Sequence, residues 1–260
     1  MNDFFTRKMI IGMVHVQALS GTPRNHLSIR EIVSSALAEA QLYQELGLDA
    51  ILLENMHDTP YQKREVGPEI ISEMTAVACA VRDSVSIPIG IQILAGANQA
   101  ALAVAKAARL DFIRAEGFVF AHVADEGIIQ SDAGALLRYR KQIGAEDIMI
   151  FADIKKKHSA HQLTADVDIA QTASAAEFFL ADGLIVTGSS TGKPADLQEL
   201  QAVRAATKLP LLIGSGLTAA NIKSYLPLAD GFIVGSDFKE DGYWANPLSR
   251  PRIESFLKAL

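Results

Sequence analysis

The residues best equipped for chemistry stand in small polar clusters, each closing a short apolar run. Asp153-Ile154-Lys155 closes the run that starts at Ile148. Residues two apart on a strand project to the same side, so this spacing brings a carboxylate and an ammonium together. A lysine so placed can form a Schiff base with a carbonyl, exchange protons or attract an anion; the plain alternative is a structural ion pair. Lys156, Lys157 and His158 follow at once and read as a solvated loop that adds positive charge nearby. Other runs end in His15, in Glu54-Asn55, in Gln92, and in Arg114 with Glu116. Glu54 becomes a general base if burial raises its pKa, or else a partner of Arg114 or Lys155. Arg114 can equally pair with Asp111 of its own strand. A lone histidine is more often a satisfied core residue than a catalyst, but here several run ends carry functional groups together, which favours a shared site. The expected catalytic set is Lys155, Asp153, Glu54 and His15, with Asn55, Gln92, Arg114, Glu116, Thr187 and Gly188 against the substrate.

A second signal lies near the end of the chain, in Gly214-Ser215-Gly216-Leu217-Thr218 and in Gly235-Ser236-Asp237. Backbone N–H groups approach a phosphate closely only where no Cβ intervenes, and many such turns need a positive φ. Two glycine turns at consecutive strand ends point to phosphate held by Gly214, Ser215, Gly216, Gly235 and Ser236; alone, each is only a tight turn. The small-residue run Thr187-Gly188-Ser189-Ser190-Thr191-Gly192-Lys193 suits a sugar hydroxyl or the same phosphate. It is no nucleotide P-loop, because Pro194 follows the lysine. No organic cofactor is called for. His15, Glu54, His57, Asp58, Asp153 and His158 all fall near expected strand ends, and mixed nitrogen and oxygen ligands suit a divalent ion, although no short metal signature is present.

Something must carry these clusters to one place. Apolar segments recur at 9–15, 50–54, 88–94, 111–116, 148–155, 183–187, 210–214 and 231–235. Amphipathic or alanine-rich stretches separate them, at 29–46, 68–82, 98–108, 133–143, 165–180, 195–207 and 219–225. Near-continuous apolar strands alternating with helices indicate a parallel sheet covered on both faces. Eight such units in 260 residues, without a break in composition, predict one α/β domain spanning the chain, a (β/α)8 TIM barrel. The run at 148–155 fits: Ile148, Ile150, Ala152 and Ile154 face the helices, while Met149, Phe151, Asp153 and Lys155 face inward with the polar pair last. An open doubly wound sheet is the alternative, but Ile11-Gly12-Met13-Val14-His15 offers no dinucleotide turn. The long connection at 117–132 is a candidate lid or specificity element.

Composition narrows the partners. A net charge of −6 argues against nucleic acid and against anionic membranes, so an anionic ligand has to be met by local groups. Cys79 is the single cysteine, which rules out a disulfide framework within one chain and reads as a small core residue. No apolar run reaches the ~18 residues of a membrane span, and the N-terminal apolar segment is too short for a signal sequence. A cytoplasmic protein is expected, with apolar helix faces that leave room for a homo-oligomer.

The order of the motifs resembles the BtpA family. It runs through Gly12-Met13-Val14-His15 and Ser20-Gly21-Thr22-Pro23, then Glu54-Asn55-Met56-His57-Asp58-Thr59-Pro60. It continues through Asp111-Phe112-Ile113-Arg114, Asp125-Glu126-Gly127-Ile128-Ile129-Gln130 and Leu136-Leu137-Arg138-Tyr139-Arg140. It closes with Ala152-Asp153-Ile154-Lys155-Lys156-Lys157-His158, Ile213-Gly214-Ser215-Gly216, and the stretch from Val234 to Gly242. The resemblance implies a barrel, and a family named for a photosynthetic member tied to photosystem I biogenesis while other members accompany sugar-uptake genes. Gln92 and Glu116 depart from it, standing where the family pattern has asparagines. The resemblance implies fold more than function; the two glycine turns and the polar strand ends lead to an expected enzyme of lyase, aldolase or isomerase type on a small phosphorylated, sugar-phosphate-like metabolite. Two alternatives are a non-catalytic assembly or regulatory factor and a metal-dependent hydrolase.

Overall fold

The computed structural model describes residues 4–188 and 193–260. Eight parallel strands close on themselves: β1 (Met9–His15), β2 (Ala50–Glu54), β3 (Ile89–Gln92), β4 (Phe112–Ala115), β7 (Met149–Ile154), β9 (Gly183–Val186), β10 (Leu211–Ile213) and β11 (Gly231–Val234). Around them run α1 (Ile29–Glu45), α2 (Pro68–Ser84), α3 (Asn98–Ala107), α4 (Ala133–Gln142), α5 (Ile169–Phe178), α6 (Leu197–Ala206), α7 (Ile222–Tyr225) and α8 (Arg250–Lys258). This is the expected (β/α)8 barrel in a single domain. Strand boundaries tighten at β3 and β10, where Pro88 and Pro210 lack the N–H a ladder needs. The stretch at 165–180 becomes helical only at Ile169, where Asp168 accepts from the Gln171 N–H in a reciprocal capping box.

Period-two alternation sorts the side chains into two cores. Ile10, Val14, Ile51, Leu53, Ile150 and Ala152 face outward and pack under the helices. Met9, Ile11, Met13, Leu52, Phe112, Phe151, Ile185, Leu212 and Ile233 fill the barrel itself. Two large rings fit because their neighbours lack side chains. A Cβ on Gly90 would lie 2.1 Å from Phe112 Cε2, and one on Gly183 would lie 2.7 Å from Phe151 Cδ1. Phe4 and Phe5 close the bottom, packing edge-on against Phe112 and Phe151 respectively at centroid distances of 5.6 and 5.7 Å. The lower barrel is therefore an apolar plug among the described residues, and the large cavity lies at the other end.

The long connection at 117–132 holds an antiparallel hairpin, β5 (His122–Ala124) and β6 (Gly127–Ile129), extended by β8 (Ser159–Ala160). Its base is clamped by Arg64. That guanidinium donates to the carbonyls of Gly96 (2.9 Å), Glu116 (3.1 Å), Gly117 (2.8 Å) and Gln130, and to the Asp132 carboxylate (2.7 Å). One partly buried cation thus ties the loops after β3 and β4 to the base of the hairpin.

Candidate active site

At the C-terminal ends of the barrel strands lies a cavity of about 620 Å³. His15, Glu54, Gln92, Arg114 and Glu116, the polar ends of β1 to β4, all line it as the sequence suggests. His15 is nearly sealed from solvent. Its Nδ1 lies 2.9 Å from the Trp244 carbonyl oxygen, which can only accept, so Nδ1 carries the proton and Nε2 keeps its lone pair. Burial, helped by nearby Lys239, pushes its pKa down to about 3 and keeps the ring neutral. Nε2 points toward Glu54, whose Oε2 is 3.9 Å away. Burial raises the Glu54 pKa against the pull of Arg114 and Lys157. A neutral imidazole beside a carboxyl whose pKa is raised leaves Glu54 as the member of the pair suited to exchange protons.

Arg114 enters the mouth from β4 and is met by Asp153 from β7, with Nε to Oδ2 at 2.9 Å and Nη2 to Oδ1 at 3.1 Å. The forked geometry satisfies both buried partners. Asp153 is fully enclosed behind the arginine and does not reach the cavity wall. Its role is to orient Arg114, while Asp111 turns outward to Arg82 at 3.2 Å. Glu116 meets Lys156 at 3.4 Å. Its second oxygen, Gln92 Oε1 and Thr59 Oγ1 are buried without a hydrogen-bond partner among the described residues, and all three side chains line the cavity. Such atoms cost roughly 1–3 kcal/mol each, a cost that a ligand's donors can remove.

The lysine expectation needs correction. Lys155 does not share the inward face of Asp153, because β7 ends at Ile154 and Lys155 takes φ = 45°, which breaks the alternation. Its Nζ turns away to the Thr164 carbonyl at 3.3 Å, beside a separate pocket of about 20 Å³. Lys156 and Lys157, read as a solvated loop, line the large cavity instead. Burial lowers the Lys157 pKa, with Arg114 adding to the shift and Glu54 opposing it. Thr187 accepts from the Lys157 N–H at 2.9 Å, and Asn55 bridges Asp58 and the Leu94 N–H. These two expected substrate contacts support the loops behind the cavity rather than lining it.

The glycine turns after β10 and β11 form one wall: Gly214, Ser215, Gly216, Gly235 and Ser236 all line the cavity. Among the described residues, the N–H groups of Ser215, Gly216 and Leu217 have no backbone acceptor. The need for glycine at Gly216 has a second cause, since φ is +72° and a Cβ would lie 2.2 Å from the Lys193 carbonyl oxygen. Gly188 sits under the same segment and donates to the Ser215 hydroxyl at 3.3 Å, off the cavity wall. Residues 189–192 of the small-residue run lie outside the described residues. Arg252 stands at this wall, fixed by Asp237 through Nη2 to Oδ1 at 2.9 Å.

Among the described residues, no three His, Cys, Asp or Glu side chains converge as metal ligands. The candidates His57, Asp58 and His158 are spread, with Asp58 accepting from the Leu19 N–H at 2.8 Å. Sequence reading missed Tyr61 and Trp244, which reach the mouth from loops without periodicity, and it undervalued the pair Asp125-Glu126 at the hairpin tip.

Closed barrel, apolar floor and polar mouth define a (β/α)8-barrel protein with a ligand-sized site at the C-terminal face of its strands. The chain belongs to the BtpA family, whose model matches residues 6–260. A Caenorhabditis elegans protein named as mitochondrial is 50% identical, over 97% of this chain and 93% of its own. The photosystem I biogenesis protein BtpA of Synechocystis is 33% identical, over 99% of this chain and 89% of its own. Solved structures with the same fold include thiamine phosphate pyrophosphorylase of Pyrococcus furiosus, with a TM-score of 0.60, 14% identity, and coverage of 98% and 96% of the two chains. Phosphoribosyl anthranilate isomerase of Thermus thermophilus follows, with a TM-score of 0.59, 12% identity, and coverage of 96% and 97%. Among the described residues no helix is long and apolar enough to cross a membrane.

Proposed function

We propose that this chain is an enzyme acting on a small phosphorylated, sugar-phosphate-like metabolite by lyase, aldolase or isomerase chemistry. One observation carries the reading. The two glycine turns suited to phosphate and the set His15, Glu54, Arg114 and Lys157 open into the same cavity. A phosphate on the N–H groups of residues 215–217 and on Ser236 places the rest of the substrate over the barrel centre. Binding energy from that remote end then positions the reacting carbon.

The chemistry assigned to Lys155 from the sequence passes to Lys157. A lysine that lines the cavity and whose pKa is lowered by burial is the group suited to attack a carbonyl as its amine. The amine adds to the carbonyl carbon, water leaves, and a C=N bond joins lysine to substrate. A neighbouring C–H or C–C bond then breaks, its electron pair passing into the iminium. Glu54, whose raised pKa makes it the stronger base of the pair, takes the released proton and returns it when the enamine is reprotonated, while the neutral His15 stands beside it. Hydrolysis of the C=N bond frees the product and restores the amine. Arg114, braced by Asp153, steadies negative charge that develops on substrate oxygen. The names of the barrel enzymes with this fold, which handle phosphorylated compounds, agree with the reading. We place the activity in the cytoplasm; the mitochondrial label belongs to the nematode relative.

Thermal-shift titration with ribose 5-phosphate, inorganic phosphate and free ribose tests the binding half. The two phosphates raise Tm and free ribose does not, and Ser236→Asp abolishes the effect by placing a carboxylate at the phosphate wall. Equal stabilisation by phosphorylated and free sugar, or none by either, would overturn the proposal. The assembly-factor reading has one observation in its favour, the name of the Synechocystis relative. It predicts a stoichiometric protein partner in extracts and indifference to these phosphates.

A further inference from the structure

The polar groups do not account for the whole cavity. Apolar and aromatic side chains from the surrounding loops line it as well. Met56 and Tyr61 come from the loop after β2, Leu94 and Ala95 from the loop after β3, and Trp244 from the segment between β11 and α8. The Tyr61 hydroxyl is occupied, donating to the Met56 carbonyl at 2.8 Å, so the ring is held in place as a surface. Trp244 is half-buried and braced by His57 at a centroid distance of 4.9 Å and by Tyr243 at 5.8 Å. Its carbonyl, which holds His15, fixes the backbone beneath the indole.

From this arrangement we infer that the phosphorylated substrate also carries a flat, unsaturated ring, which packs against Trp244 and Tyr61 while the phosphate sits at the β10 and β11 turns. The inference rests on the phosphate reading above and adds its second pole. Three observations support it. A volume of about 620 Å³ lies mid-range among pockets that enclose drug-sized ligands, roughly 300–1,000 Å³, so there is room for a ring beside a sugar phosphate. Braced aromatic faces with methionine beside them are surfaces that planar rings stack on. Gln92 Oε1 and the second Glu116 oxygen belong to the same cavity lining and are buried acceptors without partners among the described residues, to which the hydroxyls of a connecting sugar would donate.

Trp244 is the only tryptophan in the chain, so its fluorescence reports the ring pole alone. The probes are ribose 5-phosphate, inorganic phosphate, and pyrimidine, purine and pyridine ribonucleoside monophosphates. At least one ring-bearing monophosphate binds more tightly than ribose 5-phosphate and quenches the indole emission, whereas the ringless phosphates bind without quenching. Trp244→Leu weakens that ring compound roughly 5- to 150-fold and leaves ribose 5-phosphate within about twofold, the range expected for one lost stacking partner. If the Trp244 variant fails to fold, Tyr61→Leu and the wild-type emission series decide the question. Ribose 5-phosphate binding as tightly as every ring compound, with emission unchanged, overturns the ring and leaves the phosphate reading standing. Failure of all the phosphates to bind overturns both.

Discussion

At the level of Met13, Leu52, Phe112 and Phe151 the barrel interior is hydrocarbon; two residues further along the same strands it is His15, Glu54, Arg114 and Asp153. Four strands make this change in a single step of their inward face. The lower layer contributes stability by burying apolar area, and its glycines serve only to admit larger rings. The upper layer buries charges and leaves acceptors unpaired, which costs stability. A chain selected for folding alone would continue the lower layer upward. The contrast marks the mouth as the part of the molecule kept for chemistry.

The sharpest way to press that contrast is to alter one group in each layer. Lys157→Met lowers turnover of the phosphorylated substrate by roughly 10³-fold or more, because it removes the amine and keeps most of the side-chain volume. Phe151→Ala, in the lower layer, costs roughly 3–5 kcal/mol in denaturant unfolding, since the plug cannot collapse around the void. Asp153→Ala also costs roughly 3–5 kcal/mol, by leaving Arg114 charged and unpaired. Extending the lower layer upward with Arg114→Met and Asp153→Leu together restores most of that stability and leaves the enzyme inactive. A double variant still as unstable as Asp153→Ala would mean that the mouth, too, is built for stability.

Acid lability gives a smaller effect with a defined sign. His15 titrates near 3 in the fold against 6.5 in the unfolded chain, so the unfolded chain binds the extra proton first. Its contribution is complete above pH 6.5 and is lost as pH falls from 6.5 toward 3. Glu54 works in the opposite sense, contributing below its reference value of 4.5 and losing that contribution as pH rises through its raised folded value. Urea unfolding from pH 7 to 4 therefore shows a decline that is shallower in His15→Asn. The smallest effect is Lys155→Ala, within about 0.5 kcal/mol of wild type and with turnover retained.

Much of this molecule can be read from its residues. The apolar runs and their spacing predict every barrel strand, and the polar ends of β1 to β4 do meet in one cavity. The reading fails where the alternation stops. Nothing in Asp153-Ile154-Lys155-Lys156-Lys157 says that the strand ends after Ile154, and a positive φ at Lys155 then exchanges which lysine faces the mouth. Partner choice was equally hidden: the residues offered Arg114 either Glu54 or Asp111, whereas Asp111 turns to Arg82 from α2 and Asp153 takes the guanidinium. Tyr61 and Trp244 belong to irregular loops, and only the closed barrel brings positions 61 and 244 to one cavity.

The central claim is that Lys157, under the influence of burial and opposite the phosphate wall, is the reacting amine. Borohydride reduction in the presence of a phosphorylated carbonyl substrate, followed by peptide mass spectrometry, tests it directly. The account predicts one reduced adduct, on Lys157, formed at the same rate in Lys155→Ala and absent from Lys157→Met. An adduct on Lys155, or none while the same compound is turned over, would contradict it.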